Sequence, residues 1–148
     1  MAVHVLEAAK RACESSGWTL TNLQLQKILY IAHMLYLGKN GEPLIDGNEF
    51  EAWDYGPVSP TLYRHVSAYG AGRIRNAFHG VGAIEGPEAE AIDDAVQRLG
   101  RVSPFQLVAL LHDQHSAWSQ VYDPYFRGMP INNELVGQEY RNRFPGNQ

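Results

Sequence analysis

The stretch Thr21-Asn22-Leu23-Gln24-Leu25-Gln26-Lys27-Ile28-Leu29-Tyr30-Ile31-Ala32-His33-Met34-Leu35-Tyr36-Leu37-Gly38 decides the fold. Thr21 and Gln24 have the spacing of a reciprocal N-terminal capping box, and Leu20 with Leu25 suits the hydrophobic staple that accompanies it. Leu25, Ile28, Leu29, Ala32, Leu35 and Tyr36 then form an apolar stripe broad enough for a helix at the centre of the core. Gly38 is expected to end it. The longest apolar run, Ile28 to Leu37, is broken by His33 and falls short of the roughly 20 residues that cross a bilayer, so no membrane span is expected.

On the N-terminal side, Val5, Leu6, Ala9, Ala12 and Cys13 recur at helical spacing, which predicts a first helix over Ala2 to Ser16 with Gly17 in the left-handed position. On the C-terminal side the helical period vanishes from Gly41 to Pro57. Phe50-Glu51-Ala52-Trp53-Asp54-Tyr55 alternates there like a half-buried strand, and a short strand pair is expected. Ser59-Pro60 restarts a helix, serine as cap and proline at the first helical position, carrying Leu62, Val66 and Tyr69 inward until Gly70. Gly70 to Gly86 is glycine-rich and contains the alternating Arg73-Ile74-Arg75, which suggests a loop holding the partner strand.

Pro87 opens the next helix, with Ile92, Ala95, Val96 and Leu99 facing in and Gly100 closing it. Ser103-Pro104-Phe105-Gln106 repeats the capping-box device before Leu107, Val108, Leu110 and Leu111, read as a buried helix. A last helix is expected to begin at Asn132 or Asn133 and to include Leu135, Val136 and Tyr140, ahead of a frayed tail from Arg143 to Gln148. The reading is a mainly α, compact multi-helix fold with a small β-hairpin or short strand pair, in one domain spanning residues 1–148.

Charge and composition narrow the function. Twelve basic against sixteen acidic side chains give a net charge of −4, which disfavours a nucleic-acid partner. The acids run in two stretches, Glu42, Asp46, Glu49, Glu51, Asp54 and Glu85, Glu88, Glu90, Asp93, Asp94, with Arg64, Arg73 and Arg75 between them. Such separation can steer a charged protein partner, and the three arginines are the first candidates for contact with it. The single cysteine, Cys13, excludes an internal disulfide, and the N-terminus lacks a basic leader before a long apolar core; both suit a reducing cytoplasm.

No catalytic set assembles. His112-Asp113-Gln114-His115 could put two histidines on one helix face, but a zinc site needs three or four ligands, and the histidines are read as capping and packing the helix end. Gly80-Val81-Gly82-Ala83-Ile84-Glu85-Gly86 lacks the spacing of a phosphate-binding loop. Asp93-Asp94 fits an ordinary amphipathic helix, and Cys13 sits on an apolar stripe without a basic neighbour. No metal and no cofactor is expected, and the chain is read as a non-enzyme. The aromatic residues Trp53, Tyr55, Tyr63, Tyr69, Trp118, Tyr122, Tyr125 and Phe126 are either core or anchors of an interface, with Trp53 and Trp118 expected in the core.

Two segments are more specific: Leu23-Gln24-Leu25-Gln26-Lys27-Ile28-Leu29-Tyr30 and Phe50-Glu51-Ala52-Trp53-Asp54-Tyr55-Gly56-Pro57-Val58-Ser59-Pro60-Thr61-Leu62-Tyr63. Together they resemble the signature of the Panacea domain family, which includes SocA-type antitoxins and proteolytic adaptors. The pattern falls on Leu25, Lys27, Ile28, Leu29 and Tyr30, then on Glu51, Ala52, Trp53, Gly56, Pro57, Val58 and Tyr63. A third match is Leu111-His112 before Trp118, where Leu111 departs from the family's threonine. The resemblance runs from the first helix to about Tyr122.

The resemblance implies an antitoxin that binds a cognate protein toxin directly and, in the SocA type, hands it to a AAA+ protease. As scaffold, Gly56-Pro57 is expected to turn the chain out of the strand, with Trp53 and Tyr63 locking strand to helix. Lys27, amid apolar neighbours, is expected either to pair with Glu51 or Asp54 or to face a partner. The alternatives are a DNA-binding autoregulator using Arg64, Arg73 and Arg75 as phosphate contacts, and a hydrolase using His112, Asp113 and His115.

Overall fold

The computed structural model describes residues 1–146. Asn147 and Gln148, the end of the tail read as frayed, lie outside the described residues. Among the described residues, seven α-helices pack with a three-stranded antiparallel sheet, so the mainly α reading holds.

Helix α1 (Val5–Ser15) starts later than the sequence suggests because His4 is its cap: the imidazole accepts from Leu6 N, and the Glu7 carboxylate accepts from His4 N. Helix α2 (Asn22–Asn40) begins with the expected Thr21/Gln24 box and is buried on nearly all sides from Leu25 to Met34. It does not stop at Gly38. Termination falls to Gly41 in the left-handed conformation at φ +71°. Gly38 serves packing instead, since a Cβ there would lie 2.0 Å from Tyr140 Cγ. A glycine that makes room for a ring and a glycine that ends a helix look alike in sequence.

Strand β1 (Glu51–Trp53) pairs antiparallel with β2 (Gly56–Val58), Ala52 opposite Pro57 and Trp53 opposite Gly56, and on its other side with β3 (Met129–Pro130). Phe50 and Ala52 face the core while Glu51 and Trp53 are half-buried, as the alternation requires. Two expectations are corrected here. Gly56-Pro57 is part of a strand and Asp54-Tyr55 makes the turn; proline is tolerated because β2 is an edge strand. Residues 70–86 supply no strand of the sheet: Arg73 forms a single bridge with Thr21, and Ile74, Phe78 and Ile84 are packed into the core.

Helix α3 (Pro60–Val66) is capped by Ser59 and runs into a 3-10 turn at Ser67–Tyr69. Helices α4 (Pro87–Leu99) and α5 (Pro104–Leu111) start at their prolines as read. Only one face of α5 is covered: Leu107 and Leu111 are buried, Val108 is half-buried, and Leu110 and Phe105 are exposed. Helix α6 (Ala117–Val121) leads through a loop to β3 and then to α7 (Asn133–Arg143).

The C-terminal end is tied down as far as Arg143. The Glu139 carboxylate, fully buried, accepts from the Tyr30 hydroxyl at 2.6 Å, from Ala117 N at 2.9 Å and from Arg143 Nε at 2.8 Å. The Arg143 guanidinium also holds both Asp113 oxygens, at 3.0 and 3.1 Å, and the Leu110 carbonyl at 3.0 Å. Read in one dimension, Glu139 and Arg143 are an ordinary surface pair one helical turn apart.

Candidate protein-binding groove

The signature residues fall into a buried joint and an open wall. In the joint, Lys27 is fully buried, and its ammonium donates to the Pro57 carbonyl at 2.8 Å. It pairs with neither Glu51 nor Asp54: Glu51 Oε1 accepts from the Trp53 indole at 2.9 Å, and Asp54 Oδ1 accepts from the Tyr122 hydroxyl at 2.6 Å. Burial without a counter-charge pulls the Lys27 pKa down from its ordinary 10.5 to about 7. Gly56 makes this approach possible, because a Cβ at its φ of +110° would stand 3.1 Å from Lys27 Cε. Beside it, Gln26 accepts from Ser59 N at 2.8 Å and donates to Ser59 O at 3.3 Å, fixing where α3 begins. Leu25, Leu29, Tyr30 and Ala52 are buried scaffold.

The third element of the motif braces the hairpin from behind. His112 stacks on Trp118 with centroids 3.9 Å apart, Trp118 stacks on Tyr122 at 4.4 Å, and the Trp118 indole donates to the Trp53 carbonyl at 2.6 Å. His112 is pushed toward its neutral form by burial and then by the charge of Lys27. Leu111, in place of threonine, is a buried core residue.

The wall faces an open groove of about 630 Å³ between the start of α2, the hairpin, α3 and the start of α5. Leu23, Trp53, Tyr55, Val58, Tyr63 and Phe105 line it together with the buried Asn22 and Gln26 and with Arg127. Trp53 meets Tyr63 edge-on at 4.9 Å, and the Arg127 guanidinium lies 3.5 Å from the centre of the Trp53 ring. Phe105 is 85% and Tyr55 68% exposed, so these rings meet solvent rather than the core. Trp53 and Trp118, expected in the core, are both half-buried, and Trp53 belongs to the groove.

Arg64, Arg73 and Arg75 are exposed and have no acidic partner among the described residues. Arg64 follows Tyr63, and Arg73 comes shortly after Ala71, both groove-lining residues. Sequence reading missed Phe105 and Arg127. Phe105 sits in a capping-box segment that reads as an ordinary helix start, and no pattern singles out Arg127.

The other candidates are dispersed. Asp113 is engaged by Arg143, His112 lies on Trp118 and His115 is exposed, so the three do not converge on one point. Asp93 is held by Arg11 at 2.6 and 2.8 Å, and Asp94 pairs with Arg98 one turn on. Cys13 is buried, its thiol pushed up to about 12. Among the described residues no three His, Cys, Asp or Glu are grouped to hold a metal ion, and no helix is long and apolar enough to cross a membrane.

A small helical domain with a braced hairpin and an aromatic groove is thus the product of the signature residues, and the Antitoxin SocA-like, Panacea domain family matches residues 25–119; the chain belongs to this family. It is 32% identical over 136 residues to Antitoxin SocA of Caulobacter vibrioides (strain NA1000 / CB15N), an alignment covering 84% of this chain and 72% of that protein. No solved structure matches. Lys27, the hairpin, Tyr63, His112 and Trp118 all fall inside the family match, whereas Arg127 and α7 lie beyond it.

Proposed function

We propose that this chain is an antitoxin that neutralises a protein toxin by direct binding in the aromatic groove. The observation that carries the reading is the open apolar groove on the family's signature hairpin, with Tyr55 and Phe105 largely exposed. Contiguous exposed apolar surface of this kind marks interaction sites, and Trp, Tyr and Arg dominate binding energy where they occur. Family membership and the likeness to Antitoxin SocA support a toxin as the partner. Delivery of the bound toxin to a AAA+ protease, implied by the same resemblance, would use a second surface, because the toxin would fill the groove. DNA binding through the arginines has the net charge of −4 against it.

Phe105→Asp tests the groove. The side chain is exposed, so the melting temperature should hold while rescue of growth, on co-expression with the product of the neighbouring reading frame, is lost. Full rescue by the variant would take the toxin off the groove.

Arg64, Arg73 and Arg75 are expected to steer association rather than hold the complex. Reversing Arg73 and Arg75 to Glu should slow association by roughly tenfold at low salt, with the difference shrinking at high salt and dissociation little changed. Unchanged association rates at both salt concentrations would remove these arginines from the encounter.

A further inference from the structure

We propose that Arg127 is a carboxylate anchor, and that the groove takes a segment of a partner protein carrying an acidic group beside an apolar side chain. The inference rests on the groove reading above and gives its occupant a chemistry. Arg127 is exposed, lies 3.5 Å from the Trp53 ring centre and 5.7 Å from that of Tyr63, and makes no hydrogen bond or ion pair among the described residues. Its five donors are unspent, while the cation–π contact with Trp53 already restricts where the guanidinium sits. Less side-chain freedom is therefore left to lose when a ligand arrives.

The platform under it is fixed from several sides. The Trp53 indole donates to Glu51, its carbonyl accepts from Trp118, and Gly128, next to Arg127, packs so closely on Glu51 that a Cβ would lie 3.0 Å from Oε1. Neither nearby acid forms an ion pair with Arg127 among the described residues: Glu51 Oε1 accepts from the Trp53 indole and Asp54 Oδ1 from the Tyr122 hydroxyl. Asn22, 8% exposed and also lining the groove, spends its oxygen on Gln26 and has no acceptor for its amide among the described residues. A guanidinium with open donors suits a planar acceptor with two oxygens, and the Asn22 amide adds a further donor in the same groove. The apolar walls favour a carboxylate carried beside an apolar side chain over the run of phosphates of a nucleic acid.

Selection of a displayed random twelve-residue peptide library on the wild-type protein tests this. Asp, Glu or a free C-terminal carboxylate should be enriched next to Leu, Phe or Trp, and comparison of free and amidated C-termini separates the two sources. Arg127→Gln should weaken the selected acidic peptides by about tenfold or more and leave their Gln-substituted versions unchanged, the size expected for one charged hydrogen-bonded contact. No acidic enrichment, no binders, or acidic peptides indifferent to Arg127→Gln would overturn the anchor. Selected peptides that ignore Phe105→Asp would overturn the groove reading instead. Binding of a twelve-nucleotide oligo-dT that is lost in Arg127→Gln would reassign the site to phosphate and also overturn the proposal.

Discussion

Replacing Lys27 by methionine should stabilise the protein at pH 7 by about 2–4 kcal/mol, because a buried ammonium without a counter-ion is exchanged for an apolar side chain of similar length. The gain is the cost of the depressed pKa, reduced by the Pro57 carbonyl that loses its donor. The pH dependence is the sharper signature. Unfolded, the amine titrates near 10.5; folded, near 7. Below pH 7 both states are charged and the full penalty stands. Between these values the unfolded chain holds a proton that the native protein lacks, so stability rises with pH at up to about 1.4 kcal/mol per unit.

Between pH 7 and pH 9 the wild type should therefore gain about 2–3 kcal/mol, and Lys27→Met should be nearly flat. His33 and His112, both lowered by burial, have made most of their contribution by pH 7. The thiol of Cys13, raised from 9.0 to about 12, begins to oppose the trend near pH 8 and takes back about 0.4 kcal/mol by pH 9, equally in both proteins. Urea denaturation at pH 7, 8 and 9 checks this; parallel curves for the two proteins would show that Lys27 carries no unusual charge.

Arg143→Met should destabilise by about 3–5 kcal/mol, since it strands the buried Glu139 carboxylate and frees Asp113 from α7. Adding Glu139→Gln should recover part of the loss, because the neutral amide can still accept from the Tyr30 hydroxyl and Ala117 N without an uncompensated charge. Thermal melts of the two single variants and the double variant measure the coupling. A loss below 1 kcal/mol in Arg143→Met would mean that the network is solvated and α7 is held by packing alone.

The parts of this fold legible in sequence are those written in local chemistry. Thr21/Gln24 and the two Ser-Pro starts locate α2, α3 and α5 because a cap is satisfied by neighbours in the chain. What escaped depends on partners far along the chain. Gly38 reads as a stop until Tyr140 is seen lying on it, and Arg143 reads as a loose end until Glu139 and Asp113 are seen around it. The candidate site divides the same way. Trp53 and Tyr63 stand out by type and context, but their exposure depends on what is absent above them. Phe105 and Arg127 reach the groove from α5 and from the loop before β3, which no spacing rule connects to the hairpin.

Both margins of the small sheet carry a proline, Pro57 in β2 and Pro130 in β3. Neither residue has an N–H to offer, and the Pro57 carbonyl is already taken by Lys27. A visiting chain finds no continuous ladder to extend, which protects a chain displaying exposed aromatic rings from stacking edge to edge into aggregates. The same closure bears on recognition: a partner bound at the proposed groove would be gripped by side chains rather than recruited as a fourth strand.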